Sequence, residues 1–275
     1  MLGRQRRAIL CPSCGRLTNP DAAECLVCGR RNPGMWGLTN ILQRVFRGRD
    51  VSGVIGIVCI VLYIVSLVFD PAGALRPRGP FEIFSPSNQA LITLGATGAW
   101  PWAAGLWWTL LTAIYLHGHL LHIIFNVLWI RQLGPAVEEL FGRARLVVIF
   151  TVSGVVGFAV SNALGVPMTV GASGSIFGLL GAMVAFGRRR GGTFGALVLR
   201  QYGQWALLLF VLGFFMAGVN NFAHAGGFVG GLLTGFLLSF EEQRRESGLD
   251  QLLAAGCVIA TVVAFALALW TAFAG

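Results

Sequence analysis

The sequence contains no lysine, and charged residues make up only 11% of its 275 positions. Soluble domains carry about 25% charged residues, whereas 56% of this chain is hydrophobic. So few charges cannot cover the surface of a water-soluble protein of this size, which excludes an ordinary globular enzyme and a disordered chain. The 38 glycines are typical of membrane helices, which approach one another closely through small residues. The composition predicts an all-α polytopic membrane protein.

The basic residues are all arginines, 20 against 11 acidic residues, which gives a formal net charge of +9. In a soluble protein such an excess indicates nucleic acid binding. Here the arginines flank hydrophobic segments, as they do in cytoplasmic loops that face anionic lipid. We therefore expect the lipid bilayer as a partner, and no nucleic acid.

Four of the six cysteines form two Cys-x-x-Cys pairs near the N-terminus, each followed by glycine. Two tight turns of this kind present four thiolates to one tetrahedral ion, so the spacing predicts a structural zinc ribbon over residues 1–32. Two disulfides are the alternative, which a cytosolic location disfavours. The predicted zinc ligands are Cys11, Cys14, Cys25 and Cys28.

Residues 33–50 form a basic linker in which apolar residues repeat at helical spacing. We interpret it as an amphipathic helix on the inner membrane surface, with a disordered tether as the alternative. Beyond it, apolar segments of about 20 residues predict seven transmembrane helices. The predicted spans are Val51–Phe69, Leu120–Leu133, Leu146–Leu164, Ala172–Phe186, Trp205–Val219, Ala223–Phe240 and Leu252–Phe273. The first loop, residues 70–115, is rich in Pro, Gly and Trp, and we expect it to lie partly in the membrane.

The arginines also predict the orientation, because cytoplasmic loops carry an excess of them. With the N-terminus inside, all but two of the arginines in the loops lie on the cytoplasmic side. The second, fourth and sixth spans then begin at the outer face. Four polar side chains are consequently predicted to lie at the same depth in the outer half of the membrane: His122, Asn126, Ser173 and His224.

Polar and ionisable groups within membrane spans are energetically costly and therefore indicate function. Together, these four side chains provide a candidate nucleophile, a general base and two donors to an oxyanion. Ser173 lies in GASG, with glycines at 171 and 174, at a predicted helix start where unpaired N–H groups and the helix dipole stabilise an anion. His224 can act as general base if its helix packs against that of Ser173. His122 and Asn126 lie four residues apart on one helix face, as donors to an oxyanion would. Taken singly, each has an alternative interpretation as a packing residue.

Close packing of the two helices is favoured by Gly227 and Gly231, which form a small-xxx-small face below His224. Gly174, Gly178 and Gly181 offer a matching surface on the helix of Ser173.

Four segments resemble the signatures of rhomboid intramembrane serine proteases. They are HGHLLHIIFN (117–126), LGPAVEELFG (133–142), GASGSIFG (171–178) and AHAGGFVGG (223–231). The resemblance implies a six-helix catalytic core over residues 51–240 and a seventh helix within residues 241–275. It also implies cleavage of transmembrane protein substrates at a site that opens toward the outer face of a bacterial plasma membrane.

Carried over by position, the resemblance implies that Ser173 is the nucleophile and His224 the base of a Ser–His dyad that needs no cofactor. His122, Asn126 and the backbone N–H of Ser173 would form the oxyanion hole. Phe177 stands where the family often has tyrosine, and it can stack on the imidazole. Thr109 follows Trp108 where the family has an arginine that ties down the first loop.

Two alternatives stay open at this point. A metal transporter or metalloprotease would use the histidines, but the chain has neither HExxH nor a carboxylate deep within a span. A catalytically inactive relative that binds membrane proteins without cutting them would fit the same motifs, and the change at Thr109 leaves room for it.

Overall fold

The computed structural model describes residues 8–11, 14–19, 22–30, 50–74, 84–216, 218–242 and 246–274. The chain divides into two compact units, Met1–Arg49 and Asp50–Gly275. The predicted amphipathic linker, residues 33–50, lies outside the described residues except for Asp50.

The N-terminal unit contains a two-stranded antiparallel sheet, in which β1 (Ile9–Leu10) pairs with β2 (Leu17–Thr18). Each Cys-x-x-Cys pair closes a tight turn through the glycine that follows it. Gly15 and Gly29 have φ of +68° and +69°, the left-handed region that glycine enters without steric cost. The two turns repeat one pattern, since the N–H groups of Gly15 and Gly29 donate to the carbonyls of Cys11 and Cys25.

The regular secondary structure of the second unit is helical in its described part. In chain order, its helices are α1 (Val51–Phe69), α2 (Pro71–Ala74), α3 (Asn88–Thr93), α4 (Ala99–Ala103), α5 (Thr109–Thr112), a 3₁₀ turn (Ala113–Tyr115), α6 (Leu120–Phe141), α7 (Arg143–Ala163), α8 (Ser173–Arg190), α9 (Gly192–Gly213), α10 (Asn221–Leu237) and α11 (Gly248–Ala274). A long helix overlaps each of the seven predicted spans.

Five of these helices, α1, α6, α7, α9 and α11, are long and apolar enough to cross a membrane. Helices α8 and α10 do not reach that threshold among the described residues. Helix α8 ends in three arginines, and α10 has only 17 residues. Helix α8 is largely buried among other helices, so it needs less apolar surface than a lipid-facing span. Helix α10 buries its glycine-rich face and exposes apolar side chains on the other. The count of seven crossings stays a prediction.

Two of the predicted spans have wrong boundaries, one at its end and the other at both ends. Helix α6 does not stop at Leu133 but continues through Pro135 to Phe141, because membrane helices tolerate an internal glycine and proline. Gly134 is buried and Pro135 is exposed. A Cβ at Gly134 would clash with Ser52 on α1, so the glycine serves close packing. Helix α9 ends at Gly213 rather than Val219, and it begins at Gly192 rather than Trp205. The first half of α9 is not recognised by its hydropathy, because it contains Arg200, Gln201 and Gln204.

Polar side chains begin several helices by accepting from free backbone N–H groups, which is the usual role of an N-cap. Asp50 accepts from the N–H of Gly53 at the start of α1. His119 accepts from His122 at the start of α6, and Asn220 accepts from Ala223 at the start of α10.

Helix α8 lies at the centre of the bundle and packs against α10 backbone to backbone. A Cβ at Gly227 would lie 2.9 Å from the Cα of Gly174, and one at Gly231 would overlap the backbone of Gly178. Real Cβ atoms essentially never come closer than 3.0 Å to another heavy atom. These glycines form a seam, the glycine seam, that holds the start of α8 beside the start of α10.

The first loop is tied to the bundle by buried hydroxyls. The Thr109 hydroxyl lies 3.0 Å from that of Thr97, and the Asn162 amide of α7 donates to Thr97 at 2.9 Å. Thr97 and Thr169 also form an isolated β-bridge. Thr109 therefore lies within a polar network that holds the first loop without an arginine.

Arg145 of α7 has a fully buried side chain. It forms ion pairs with Asp250 at 3.1 Å and with Glu241 at 3.5 Å, and it also donates to the carbonyl of Phe141. Because Asp250 belongs to α11, this cluster fastens the last helix to the rest of the bundle. Breaking a buried pair of this kind typically costs about 3–5 kcal/mol.

Candidate active site

The side chains of Ser173 and His224 meet at one end of the bundle. Ser173 is the first residue of α8, His224 lies in the first turn of α10, and the glycine seam brings the two helix ends together. The Ser173 Oγ lies 2.9 Å from His224 Nε2, which is within hydrogen-bond distance. Ser173 is half-buried and His224 is 7% exposed, so the hydroxyl is accessible while the imidazole is sheltered.

The imidazole of His224 is held on two sides. The ring of Phe177, one turn after Ser173, stacks on it with centroids 4.3 Å apart and planes 16° from parallel. At the other ring nitrogen, Nδ1 lies 3.2 Å from the Asn221 Oδ1. Asn221 is absent from the sequence-based set of site residues. The signal that could have found it is its position three residues before His224, which places both on one helix face.

Helix α8 begins without a side-chain cap in the described structure. The first hydrogen bond at this end runs from the N–H of Ile176 to the carbonyl of Ala172. The N–H groups of the three preceding residues therefore point away from the helix at its positive end, where they can bind an anion.

The ring of His122 lies against this helix start. A Cβ at Gly171 would lie 2.6 Å from His122 Nε2, and Gly171 has a φ of +125°, so glycine is required there for space and for conformation. The Gly118 N–H lies 3.4 Å from His122 Nδ1. With Nδ1 as acceptor, the proton is on Nε2, which faces Gly171 and can donate.

Asn126 is buried one turn further along α6. Its amide nitrogen donates to the His122 carbonyl at 2.8 Å, and its Oδ1 has no hydrogen-bond partner among the described residues. The hydrogen bond lies within its own helix, so it does not join two helices. One N–H of the amide group remains for another acceptor.

Comparison with known proteins places the chain in a family. The Rhomboid domain matches residues 104–241, which is half of the chain and includes Ser173, His224, His122 and Asn126. The chain belongs to the rhomboid family. As a rhomboid with five apolar helices of membrane length, it is an integral membrane protein.

Several curated proteins are similar to this rhomboid chain. Rhomboid protease GluP of Bacillus subtilis (strain 168) is 32% identical over 187 residues, which are 66% of this chain and 35% of that protein. RHOMBOID-like protein 5 of Arabidopsis thaliana is 32% identical over 197 residues, which are 64% of this chain and 59% of that protein. Putative rhomboid protease YdcA of Bacillus subtilis is 34% identical over 149 residues, which are 52% and 73% of the two chains. The first two alignments therefore span only about a third and three fifths of those relatives.

The N-terminal unit of this rhomboid carries a separate candidate metal site. The Sγ atoms of its four cysteines lie within 4.8 Å of one another, and they form the one group of His, Cys, Asp or Glu ligands in the described residues that could hold a metal ion. Cys11 Sγ is 3.6 Å from Cys28 Sγ, and Cys14 Sγ is 3.8 Å from Cys25 Sγ. A tetrahedral ion with Zn–S bonds of 2.3 Å has sulfurs about 3.8 Å apart. These separations fit a metal centre and exclude disulfides, whose S–S bond is about 2.05 Å.

Local backbone groups favour the thiolate at one of these cysteines, whereas burial and the neighbouring thiols raise the pKa of Cys28 to about 12. The N–H groups of Val27 and Cys28 lower the pKa of Cys25 to about 6. Thiolates are the form that binds metal. The four cysteines can therefore hold a metal ion, whereas the described histidines of the second unit do not gather into such a group.

Proposed function

We propose that this chain is an intramembrane serine endopeptidase that cleaves transmembrane segments of membrane proteins with a Ser173–His224 dyad. The observation that carries the proposal is the 2.9 Å contact between Ser173 Oγ and His224 Nε2 beside an uncapped helix start. The rhomboid relatives that are named as proteases support the same activity.

In the proposed reaction, Ser173 Oγ attacks the scissile carbonyl carbon while His224 Nε2 takes the hydroxyl proton. His224 then passes that proton to the amine that leaves. Water attacks the resulting acyl-enzyme, and His224 again accepts a proton. Phe177 keeps the imidazole in the plane that this exchange requires.

The negative charge that develops on the substrate oxygen is stabilised by three donors. They are the backbone N–H of Ser173, the Nε2–H of His122 and the amide N–H of Asn126. The start of α8 adds the positive end of its helix dipole. Because the carbonyls of an intact helix are already hydrogen-bonded, the substrate segment must unwind before it is cut.

We also propose the orientation in the membrane. Helix α8 ends in Arg188, Arg189 and Arg190. These arginines lie at the other end of the helix from Ser173, about 25 Å away at a rise of 1.5 Å per residue. Since arginines accumulate on the cytoplasmic side, the active site opens toward the outer face of a bacterial plasma membrane, and the N-terminus is cytoplasmic. Zinc bound by the four cysteines is structural, because it occupies all four ligand positions of a small unit with few apolar residues.

The dyad is tested with a fluorophosphonate probe on the detergent-solubilised protein. We expect labelling of the wild type and none of Ser173→Ala or His224→Ala, with melting temperatures unchanged. Ser247→Ala, a change at a serine outside the site, is the matched control and keeps labelling. Labelling that persists in Ser173→Ala would place the nucleophile elsewhere, and an unlabelled wild type would favour the inactive membrane-protein-binding relative.

A further inference from the structure

Two adjacent asparagines open helix α10, and they make different contacts. Asn220 caps the helix, because its Oδ1 accepts from the N–H of Ala223 at 3.1 Å. Its amide nitrogen donates to the hydroxyls of Ser161 at 2.6 Å and Thr169 at 3.1 Å. Both N–H groups and the oxygen of Asn220 are thus engaged in holding the helix start. Asn221 instead directs its oxygen toward the His224 Nδ1.

The contact of Asn221 with His224 decides which nitrogen of the imidazole carries the proton. For the Ser173 hydroxyl to donate to Nε2, Nε2 must be unprotonated, so the proton must lie on Nδ1. A protonated Nδ1 needs an acceptor, and the Asn221 Oδ1 at 3.2 Å provides one. After Nε2 takes the serine proton, the same oxygen faces a positively charged ring. A neutral amide oxygen here has the role that a carboxylate has in a Ser-His-Asp triad.

Helix α9 provides the space that the Asn221 amide occupies. Gly213 is the last residue of α9 and is buried, and a Cβ there would overlap the Asn221 Oδ1 and lie 3.1 Å from its Cγ. The same Cβ would lie 3.0 Å from Val219 Cγ1. The absence of a side chain at Gly213 therefore lets the amide lie between the end of α9 and the imidazole.

We propose that Asn221 is a positioning residue for the catalytic base. Its amide fixes the tautomer and the ring orientation of His224, and it occupies the space left by the missing side chain of Gly213. The inference rests on the proposed function, since it assigns a partner to the base of that dyad. Ser173, His224 and Asn221 then form a chain of three hydrogen-bonded residues, of which the third is uncharged.

The test compares two replacements of similar size at this position. Asn221→Leu removes the acceptor, and Asn221→Asp keeps an oxygen in its place. Asn88→Leu is the matched control, because Asn88 is likewise the first residue of a helix but is exposed. For each variant, kcat and KM are measured on a model transmembrane substrate in proteoliposomes, together with the rate of fluorophosphonate labelling and the melting temperature.

We expect Asn221→Leu to lower kcat and the labelling rate about tenfold, the value of one neutral hydrogen bond, with KM within about twofold of the wild type. Asn221→Asp restores both rates to within about threefold, and Asn88→Leu changes neither. If Asn221→Leu does not fold, Gly213→Ala is the second variant, since its methyl group displaces the amide, and the same tenfold loss is expected.

Three results separate the outcomes. Wild-type kcat in Asn221→Leu, or equal losses in the Leu and Asp variants that follow their melting temperatures, overturns the inference and leaves the dyad intact. A wild-type protein that the probe does not label at Ser173 overturns the proposed function, and the inference with it.

Discussion

The glycine seam makes a quantitative prediction for Gly227→Ala. The new methyl carbon would lie 2.7 Å from the carbonyl carbon of Gly174, where ordinary contacts begin at 3.4 Å. The obstructing atoms are backbone atoms of α8, so they cannot rotate aside. Helix α10 must therefore retreat from α8 by about 1 Å, and it carries His224, three residues away, with it.

A retreat of that size is enough to break the dyad. It would lengthen the 2.9 Å contact between Ser173 Oγ and His224 Nε2 to nearly 4 Å, beyond hydrogen-bond distance. A misplacement of about 1 Å costs about 10²-fold in rate, so we expect kcat to fall by about that factor. Overpacking costs about 1–3 kcal/mol, partly offset by the 0.5–1 kcal/mol that alanine gains over glycine in a helix. The free energy of unfolding should therefore fall by only about 1–2 kcal/mol.

The assay is cleavage of a model transmembrane substrate in proteoliposomes, with thermal unfolding of the same preparations. Gly203→Ala on α9 is the matched control, because a Cβ at Gly203 meets no atom within 4 Å. It should keep wild-type kcat and melt at the same or a slightly higher temperature. Wild-type kcat in Gly227→Ala would show that backbone contact does not set the dyad distance, and the reasoning would fail.

Three further predictions concern other parts of the molecule. Thr97→Val should lower stability by about 1–3 kcal/mol, because the buried Asn162 amide loses its acceptor; an unchanged melting temperature would contradict this. Asn126→Ala and His122→Ala should each lower kcat about 10²-fold with unchanged melting temperature, and a parallel loss of both quantities would instead assign a packing role. Deleting residues 1–35 should reduce zinc from one ion per chain to none by metal analysis while cleavage persists; zinc retained after the deletion would point to the histidines.

The sequence was sufficient to predict the helical membrane fold and the family, because hydropathy and motif spacing depend on local composition. It also predicted that Ser173, His224, His122 and Asn126 lie near one depth. The glycines at 227 and 231 indicated which helix pair would pack closely. This information is encoded in residues three or four positions apart, which a helix places on one face.

Other features depend on contacts that no local pattern reveals. The start of α9 was missed because its first half carries Arg200 and two glutamines. Arg145 lies just before the predicted span Leu146–Leu164, a position typical of a loop arginine, yet its side chain is buried. Its ion-pair partners Asp250 and Glu241 lie about 100 residues further along the chain, so no local pattern indicates them. The effect of Thr109 could not be judged from its identity alone, since its role depends on Thr97 and Asn162.

The glycine seam has a mechanical consequence for the enzyme that we propose. No side chain separates α8 from α10 along it, so there is no packing layer that can repack or slip between them. A change in bilayer thickness or temperature that tilts one helix tilts the other with it. Any opening that admits a substrate must then occur between other elements of the bundle. Membrane composition should therefore alter how a substrate reaches Ser173 far more than how Ser173 reacts.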